Sequence, residues 1–483
     1  MLTYNFENIG SDSLYEFLYK CIKNDIIQGI ILSGEKLPSK RALAKNLAIS
    51  VITVENAYGQ LLAEGYIYSI PKSGYYVSDL SGIPVHQTEY TSETYEAEEQ
   101  GTDSRTAKAG DKVLLTGGEN AFIADFTSNQ TEHAAFPFSI WNKTMRAVMN
   151  DYQEEMMINP PCGGVMELRK SISSYLKEFC AMYVRPEQII IGAGTEYLYS
   201  ILIQLLGRNV CYGVENPGYP KIAKIYRSMG VKYEYIDLDE EGTSAKKLEE
   251  KKVDIMHISP SHHFPTGMVM PISKRYELLG WVTREKERYI IEDDYDSELR
   301  LAGKPIPSLQ SIDVSGKVIY INTFAKTTVR ISYMVLPEAL AEKYYRELSF
   351  YSCTVSNFEQ YTLAAFMNAG AFEKHINRLR NYYQHKRDLI LSTFLREPLG
   401  KYITISEEDS GVHFLMHVNT SMSEQEFLLK TRAKGIRLAT LSSFYNAEQK
   451  DSRYENTYVM NYSFVDCDRL EYVAQTLYKI IHP

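Results

Sequence analysis

LPSKRALAKNLAISVITVENAYGQLLAEGYIYSIPKSGYYV, residues 37–77, decides how the N-terminal part of the chain is read. Ser39 is suited to cap a helix, because a serine hydroxyl accepts from a backbone N–H of the first turn. The helix it opens is predicted over roughly 40–47. Ala48, Ile49 and Ser50 form a short turn, and Ser50 can cap a second helix. In that helix Val54, Ala57, Tyr58, Leu61 and Leu62 recur at i, i+3, i+4, i+7 and i+8, one apolar stripe. Thr53, Asn56 and Gln60 are left on the other face. Gly65 stands where a left-handed residue commonly ends a helix. YIYSI and YYV then flank PKSG, the pattern of a two-stranded wing. Two short helices, a tight turn and a wing make a winged helix-turn-helix, whose second helix is shaped for the major groove. The same pattern also suits a small helical interaction domain that touches no nucleic acid.

Three zones follow: residues 1–78 with this module, a polar stretch at 79–120, and the remainder at 121–483. Within the polar stretch, Glu89, Glu93, Glu96, Glu98, Glu99 and Asp103 occur without a Lys or Arg between residues 86 and 103. It has too little apolar surface to fold alone and is expected to be a flexible linker whose acidity keeps it off a DNA backbone. The length of 483 residues implies several domains. With 44% hydrophobic and 23% charged residues, the chain is neither wholly disordered, nor collagen, nor a coiled-coil rod. The net charge of −9 excludes coating of nucleic acid by bulk charge, so any such contact must be local. Residues 30–78 hold five Lys or Arg against three Asp or Glu, only weakly basic. None of the six cysteines forms a C-x-x-C pair, which argues against a zinc ribbon or a thioredoxin motif and for a reducing compartment. The N-terminus shows no basic-then-apolar signal, and no apolar run is long enough to span a membrane. The expected location is the cytoplasm.

Beyond residue 121 short apolar runs alternate with helical stretches: EQIIIGAG, VCYGVENP, VKYEYIDLD, VDIMHISP, RYIIEDD, KVIYINTF and ISYMVLP. Such alternation predicts an α/β unit with a mainly parallel sheet covered on both faces. The residues that can carry chemistry stand at the strand ends. IIIGAGTEYLYSIL, residues 189–202, reads as strand, glycine turn and helix, and N–H groups at such a helix start bind phosphate. It also reads as a plain tight turn that needs glycine; Tyr197 spoils a dinucleotide fingerprint. Glu292, Asp293 and Asp294 end a buried strand, where they could meet a metal or Mg²⁺-phosphate, or simply face water. Lys326 ends another strand, as a solvated cap or as an amine freed for covalent work by a dry pocket. His257, His262 and His263 lack the spacing of a zinc site.

The block LPSKRALAKNL, turn, TVENAYGQLLAEGYIY resembles the winged helix of GntR-type bacterial regulators. SPSHHFPTG, YIIEDDYDSEL, TFAK and RISYMVLP resemble MocR/GabR-type regulators, which fuse that winged helix to a fold-type-I aminotransferase-like domain. The resemblance covers essentially the whole chain. It implies an N-terminal winged helix-turn-helix at 1–78 that binds operator DNA through Lys36, Ser39, Arg41, Ser50, Thr53 and Lys72. It also implies a C-terminal domain at 121–483 that binds pyridoxal 5'-phosphate. There Lys326 matches the lysine that holds the cofactor, Asp293 the carboxylate facing its ring nitrogen, and Tyr295 the phenol beside its ring hydroxyl. Tyr219 matches the aromatic at the cofactor face. Gly194, Thr195 and Glu196 match the phosphate turn, with Thr323 and Arg330 as further phosphate partners.

The chain departs from the family in several places. Val51 stands where an arginine usually follows the turn serine. Only Thr327, Thr328 and Val329 separate Lys326 from Arg330, a shorter loop than usual, and Ala325 replaces a frequent serine. Ser443 stands where GABA-responsive members carry a carboxylate-gripping arginine, and Lys221 where a second one occurs. The resemblance implies a transcription regulator that senses the cofactor alone or with an amine or amino acid, and assembles as a head-to-tail homodimer. An active aminotransferase is the second reading, although YVMNYSF, residues 458–464, lacks the arginine such enzymes use. A regulator whose domain has lost the cofactor is the third.

Overall fold

The computed structural model describes residues 4, 13–47, 49–70, 73–78, 122–130, 135–301, 307–409, 411–446 and 454–482, with the backbone alone at Ile27, Ala63, Ser297 and Lys326. Lys72 and the expected linker at 79–120 lie outside these residues. The chain divides into two compact units, Met1–Leu114 and Leu115–Pro483.

In the first unit α1 (Leu14–Ile27), α2 (Lys40–Leu47) and α3 (Val51–Ala63) precede a hairpin of β1 (Ile67–Ile70) and β2 (Gly74–Val77). Ser39 and Ser50 act as the caps expected of them: their hydroxyls accept from Ala42 N at 3.2 Å and Thr53 N at 3.0 Å. Gly65 has φ +79°, the left-handed residue just past α3. Leu18, Ile22 and Ile26 of α1 close the core over Leu43, Val54, Ala57, Tyr58 and Leu61. Leu62, expected in the stripe, is exposed. At about 100° per residue it lies about 80° round from Val54, whereas Leu61 returns almost to the same line. The hairpin pairs Ile67 with Val77 and Ile70 with Gly74.

In the second unit every one of the seven apolar runs becomes a strand. After β3 (Ala124–Asp125) these are β4 (Ile189–Gly192), β5 (Cys211–Asn216), β6 (Lys232–Asp237), β7 (Ile255–Ile258), β8 (Tyr289–Asp294), β9 (Val318–Thr323) and β10 (Ser332–Val335). They form one sheet in the order β4-β10-β9-β8-β7-β5-β6. Only β10 runs antiparallel to its neighbours. Successive side chains feed opposite cores, as a period of two requires. Ile189, Ile191 and Tyr333 pack with helices Met166–Cys180 and Asn357–Asn368. Ile190 and Met334 pack with helices Thr195–Leu206 and Pro220–Ser228.

A second, antiparallel sheet was not expected. It contains β11 (Ile403–Ser406), β12 (His413–Val418), β14 (Ala439–Thr440) and β15 (Thr457–Asn461), ordered β11-β12-β15-β14. It packs on helices Ala371–Phe394 and Leu470–Ile481. The short β13 (Ile436–Arg437) pairs in parallel with β3 and ties residues 124–125 to this part. Among the described residues no helix is long and apolar enough to cross a membrane.

Candidate functional site

The parallel strands β4, β5, β7, β8 and β9 all deliver their carboxyl ends to one cavity of about 590 Å³. Open α/β sheets place ligands at such ends. Of the nine residues expected to touch a cofactor, eight line it: Gly194, Thr195, Glu196, Tyr219, Asp293, Tyr295, Thr323 and Arg330. The ninth, Lys326, closes a single turn, Phe324–Lys326, directly after β9.

One wall carries the phosphate-turn candidates. Gly194, at φ +102°, caps helix Thr195–Leu206, so the free N–H groups of the first helical turn face out from the strand end. A side chain at residue 194 would meet Glu196 Oε2 at 3.3 Å and Arg330 Nε at 3.5 Å. The shortened loop therefore still brings Arg330 to this turn, with Nη2 donating to Glu196 Oε2 at 3.2 Å. Lys221 donates to the other oxygen of Glu196. That bond, with the two positive charges, holds the Glu196 carboxyl below its ordinary range. Thr323 turns its hydroxyl inward, where it accepts from Ser332 Oγ at 2.8 Å and from Ala325 N at 3.1 Å.

The opposite wall is built on Asp293, only 6% exposed. One of its oxygens accepts from the Tyr199 hydroxyl and lies 3.5 Å from His257 Nε2. His257 Nδ1 is 2.8 Å from the Tyr226 hydroxyl. The other oxygen, Oδ1, is buried and has no hydrogen-bond partner among the described residues. Leaving a buried carboxylate oxygen dry is costly. An N–H on a ligand in the cavity would satisfy it. Burial, and then the charge of Asp293, pushes Tyr199 well above the ordinary phenol range, so it remains a donor.

The three adjacent acids that end β8 have separate fates. Glu292 accepts from Leu309 N and Gln310 N at 2.9 Å, and Asp294 accepts from Tyr320 at 2.7 Å. Only Asp293 faces the cavity unspent. Among the described residues no group of three or more His, Cys, Asp or Glu could hold a metal. His262 Nδ1 lies 2.9 Å from both oxygens of Asp296, and Tyr295 stacks on the His262 ring at 5.9 Å. Burial raises Glu215 to about 8 and, with the nearby charge of His262, lowers His263 to about 3. Tyr219 meets Phe264 edge-on at 6.0 Å.

Several lining residues were not expected from the sequence. Tyr199 sits one turn beyond Thr195, hidden within an apolar helix stripe. Asn129, His413, Phe444 and Asn461 arrive from the second sheet and the segment before it. Asn461 and Asn129 bond at 3.2 Å across more than three hundred residues of sequence, a contact without a local signal.

In the first unit Lys36, Ser39, Arg41 and Ser50 are exposed. Thr53 is partly covered, its hydroxyl 2.8 Å from that of Ser50. Lys36 lies over the Tyr76 ring at 5.8 Å, which ties the start of the module to the wing.

Residues 14–77 match the family described as bacterial regulatory proteins, gntR family. The larger unit resembles the crystal structure of Pyrococcus horikoshii kynurenine aminotransferase solved with PMP. That likeness has a TM-score of 0.63 at 22% identity and covers 75% of this chain and 91% of that one. Two regulators align over both units. YdeL of Bacillus subtilis, an uncharacterized HTH-type transcriptional regulator, is 38% identical over 89% of this chain and 90% of its own. The probable rhizopine catabolism regulatory protein MocR of Rhizobium meliloti is 28% identical over 89% and 86%. The chain belongs to the MocR-type transcriptional regulators. As a MocR-type protein it joins a DNA-binding GntR-type winged helix to a unit with the fold of type-I aminotransferases.

Proposed function

We propose that this MocR-type chain binds pyridoxal 5'-phosphate in the cavity at the strand ends and regulates transcription according to whether the cofactor, alone or with an amine or amino acid, is present. The observation that carries the reading is Asp293, with its unpartnered buried Oδ1, in the lining of a cavity that also holds a glycine turn and an arginine. When bound, the cofactor supplies an aldehyde that captures amines. Lys326 provides the amine that holds it. Asp293 keeps a proton on the ring nitrogen, and the Tyr199 hydroxyl and His257 fix the carboxylate that does so. Tyr295 would sit beside the ring hydroxyl and Tyr219 at the ring face. Gly194, Thr195, Glu196, Thr323 and Arg330 form the phosphate end.

Sensing rather than turnover is the use we assign to this site. Relatives that span both units are named as regulators. Ser443 donates to Thr440 O, and residues 458–464 bring no guanidinium. Arg437, the nearest alternative, is turned to Asp125 at 3.4 Å and to the Phe122 ring. GABA is therefore not the expected effector. The remaining assignments belong to the same reading: DNA contacts at Lys36, Ser39, Arg41, Ser50, Thr53 and Lys72, boundaries at 78 and 120, a head-to-tail homodimer on operator DNA, and residence in the cytoplasm. The test is the visible absorbance of the purified chain mixed with pyridoxal phosphate. A band should appear, and borohydride should fix the cofactor on Lys326. A colourless protein overturns cofactor binding; fixation that survives Lys326→Ala assigns it to another lysine.

A further inference from the structure

The leading turn of α3 has a composition that the core does not explain. Val54, Ala57, Tyr58 and Leu61 face inward and are fully buried. The outward stripe is Ile52, Glu55, Asn56 and Gly59 at i, i+3, i+4 and i+7, all exposed. Ile52 is 68% exposed and its neighbour Val51 42%. One exposed apolar side chain is ordinary. Two in succession, on the first turn of the helix that a winged helix-turn-helix lays in the major groove, call for a partner. Lys36, Arg41 and Lys45 of the same unit are exposed cations. The one acid in the stripe, Glu55, is drawn to Lys40 Nζ at 2.7 Å.

The floor of the major groove offers donors and acceptors at every base edge and a single apolar group, the thymine methyl. An isoleucine pressed on any other edge would strip water from polar atoms without replacing it. One turn further, Asn56 carries the amide that pairs with the N6 and N7 edge of adenine. Both residues thus favour the same base pair. We propose that α3 reads A·T pairs, with Val51 and Ile52 packed on thymine methyls and Asn56 paired with adenine, so that the half-site beneath its first turn carries thymine and not guanine. The inference rests on α3 entering the major groove, and concerns which bases it reads there.

The experiment uses the full chain, with and without added pyridoxal phosphate, on a library of randomised DNA duplexes. The enriched duplex is then resynthesised with deoxyuridine replacing thymine at one position at a time. This change keeps every hydrogen bond of the pair and removes only the methyl. At one or two positions affinity should fall about fourfold, the worth of one buried methyl group. Ile52→Ala should bind the thymine duplex more weakly and lose most of its sensitivity to deoxyuridine. The side chain is exposed, so the variant should fold; the measurement on the unaltered chain stands without it.

Enriched half-sites that carry G·C under α3, or a deoxyuridine penalty identical in both proteins, would overturn the proposal. So would an Ile52→Ala protein with unchanged DNA binding but an altered oligomeric mass, which would make the apolar pair a protein contact. A library that returns no enriched duplex removes base reading by this unit altogether.

Discussion

The two units place their working groups on opposite sides of the packing boundary. In the winged helix the core is closed by apolar side chains, and Lys36, Ser39, Arg41 and Ser50, four of the residues assigned to DNA, stand exposed outside it. In the larger unit the groups around Asp293 are inside, while Tyr219 and Arg330 of the same site remain exposed. Asp293, Tyr199 and His257 are buried, as is Glu298 outside the cavity lining, and the Glu215 side chain is only 9% exposed. A surface reader can exchange one base preference for another without disturbing its core. A buried site is welded to its fold, so each ionisable group adds a condition on stability.

The sharpest way to break this comparison is pH. Burial raises Glu215 and Glu298 to about 8. The folded unit therefore keeps protons that the unfolded chain has released. The contribution of these two groups is full below about pH 4.5 and is lost as pH rises to about 8, by on the order of 5 kcal/mol for each at most; His263, lowered to about 3, works the opposite way up to about pH 6.5, so the net decline is expected between about 6.5 and 8. The shifted groups of the winged helix titrate outside this range. Its Glu64 is lowered by the hydroxyl of Tyr19 and by Lys23, and its phenols and lysines are raised above their already alkaline values. Melting followed from about pH 6.5 to 9 should thus show the large unit falling and the small one flat, and Glu298→Gln should lessen the fall. Parallel decline of both would erase the distinction.

Next in size is Asp293→Ala. Loss of a charge-assisted bond to the cofactor ring should weaken pyridoxal phosphate by about tenfold to a hundredfold, read by titration of absorbance. DNA affinity of the cofactor-free chain should not move. Ser50→Ala sharpens the other side: removing the α3 cap should cost the small unit about 1 kcal/mol in urea and leave cofactor affinity unchanged. The smallest effect expected is from Arg41→Ala. It should make the slope of log affinity against log salt shallower by roughly one unit, with equal loss on any sequence, because a phosphate contact carries no base information.

Six strands of the main sheet were legible because a strand covered on both faces is largely apolar, and such runs stand out in sequence; the edge strand β6, mostly half-buried, was read from its tyrosines and isoleucine. The second sheet was not. β11 alternates buried and exposed residues, and β14 has two residues, so neither leaves a run. Within the site, residues at strand ends could be read: Asp293 beyond its apolar strand, Thr323 beyond the next. Which of Glu292, Asp293 and Asp294 would be available could not, since that depends on where the backbone of residues 309–310 and the Tyr320 hydroxyl come to lie. Tyr199 and Tyr226 escaped because a helix stripe of aromatic and aliphatic residues gives no sign that one hydroxyl reaches a carboxylate.

Glu196, bridging Arg330 and Lys221, makes the phosphate end a different kind of receptor from an open cationic nest. The turn already contains its own anion. An arriving phosphate does not add to bare positive charge; it displaces or shares with a carboxylate tethered to the same helix. If the turn takes phosphate as proposed, the site would behave as an ion exchanger with a fixed counterion. Added salt loosens the internal pair as well as the incoming one, so its grip on phosphate should fade with ionic strength more gently than two unpaired cations would allow. Because its partners hold Glu196 ionised, the tethered competitor is present throughout the neutral range, and the threshold concentration of ligand is set by the chain itself.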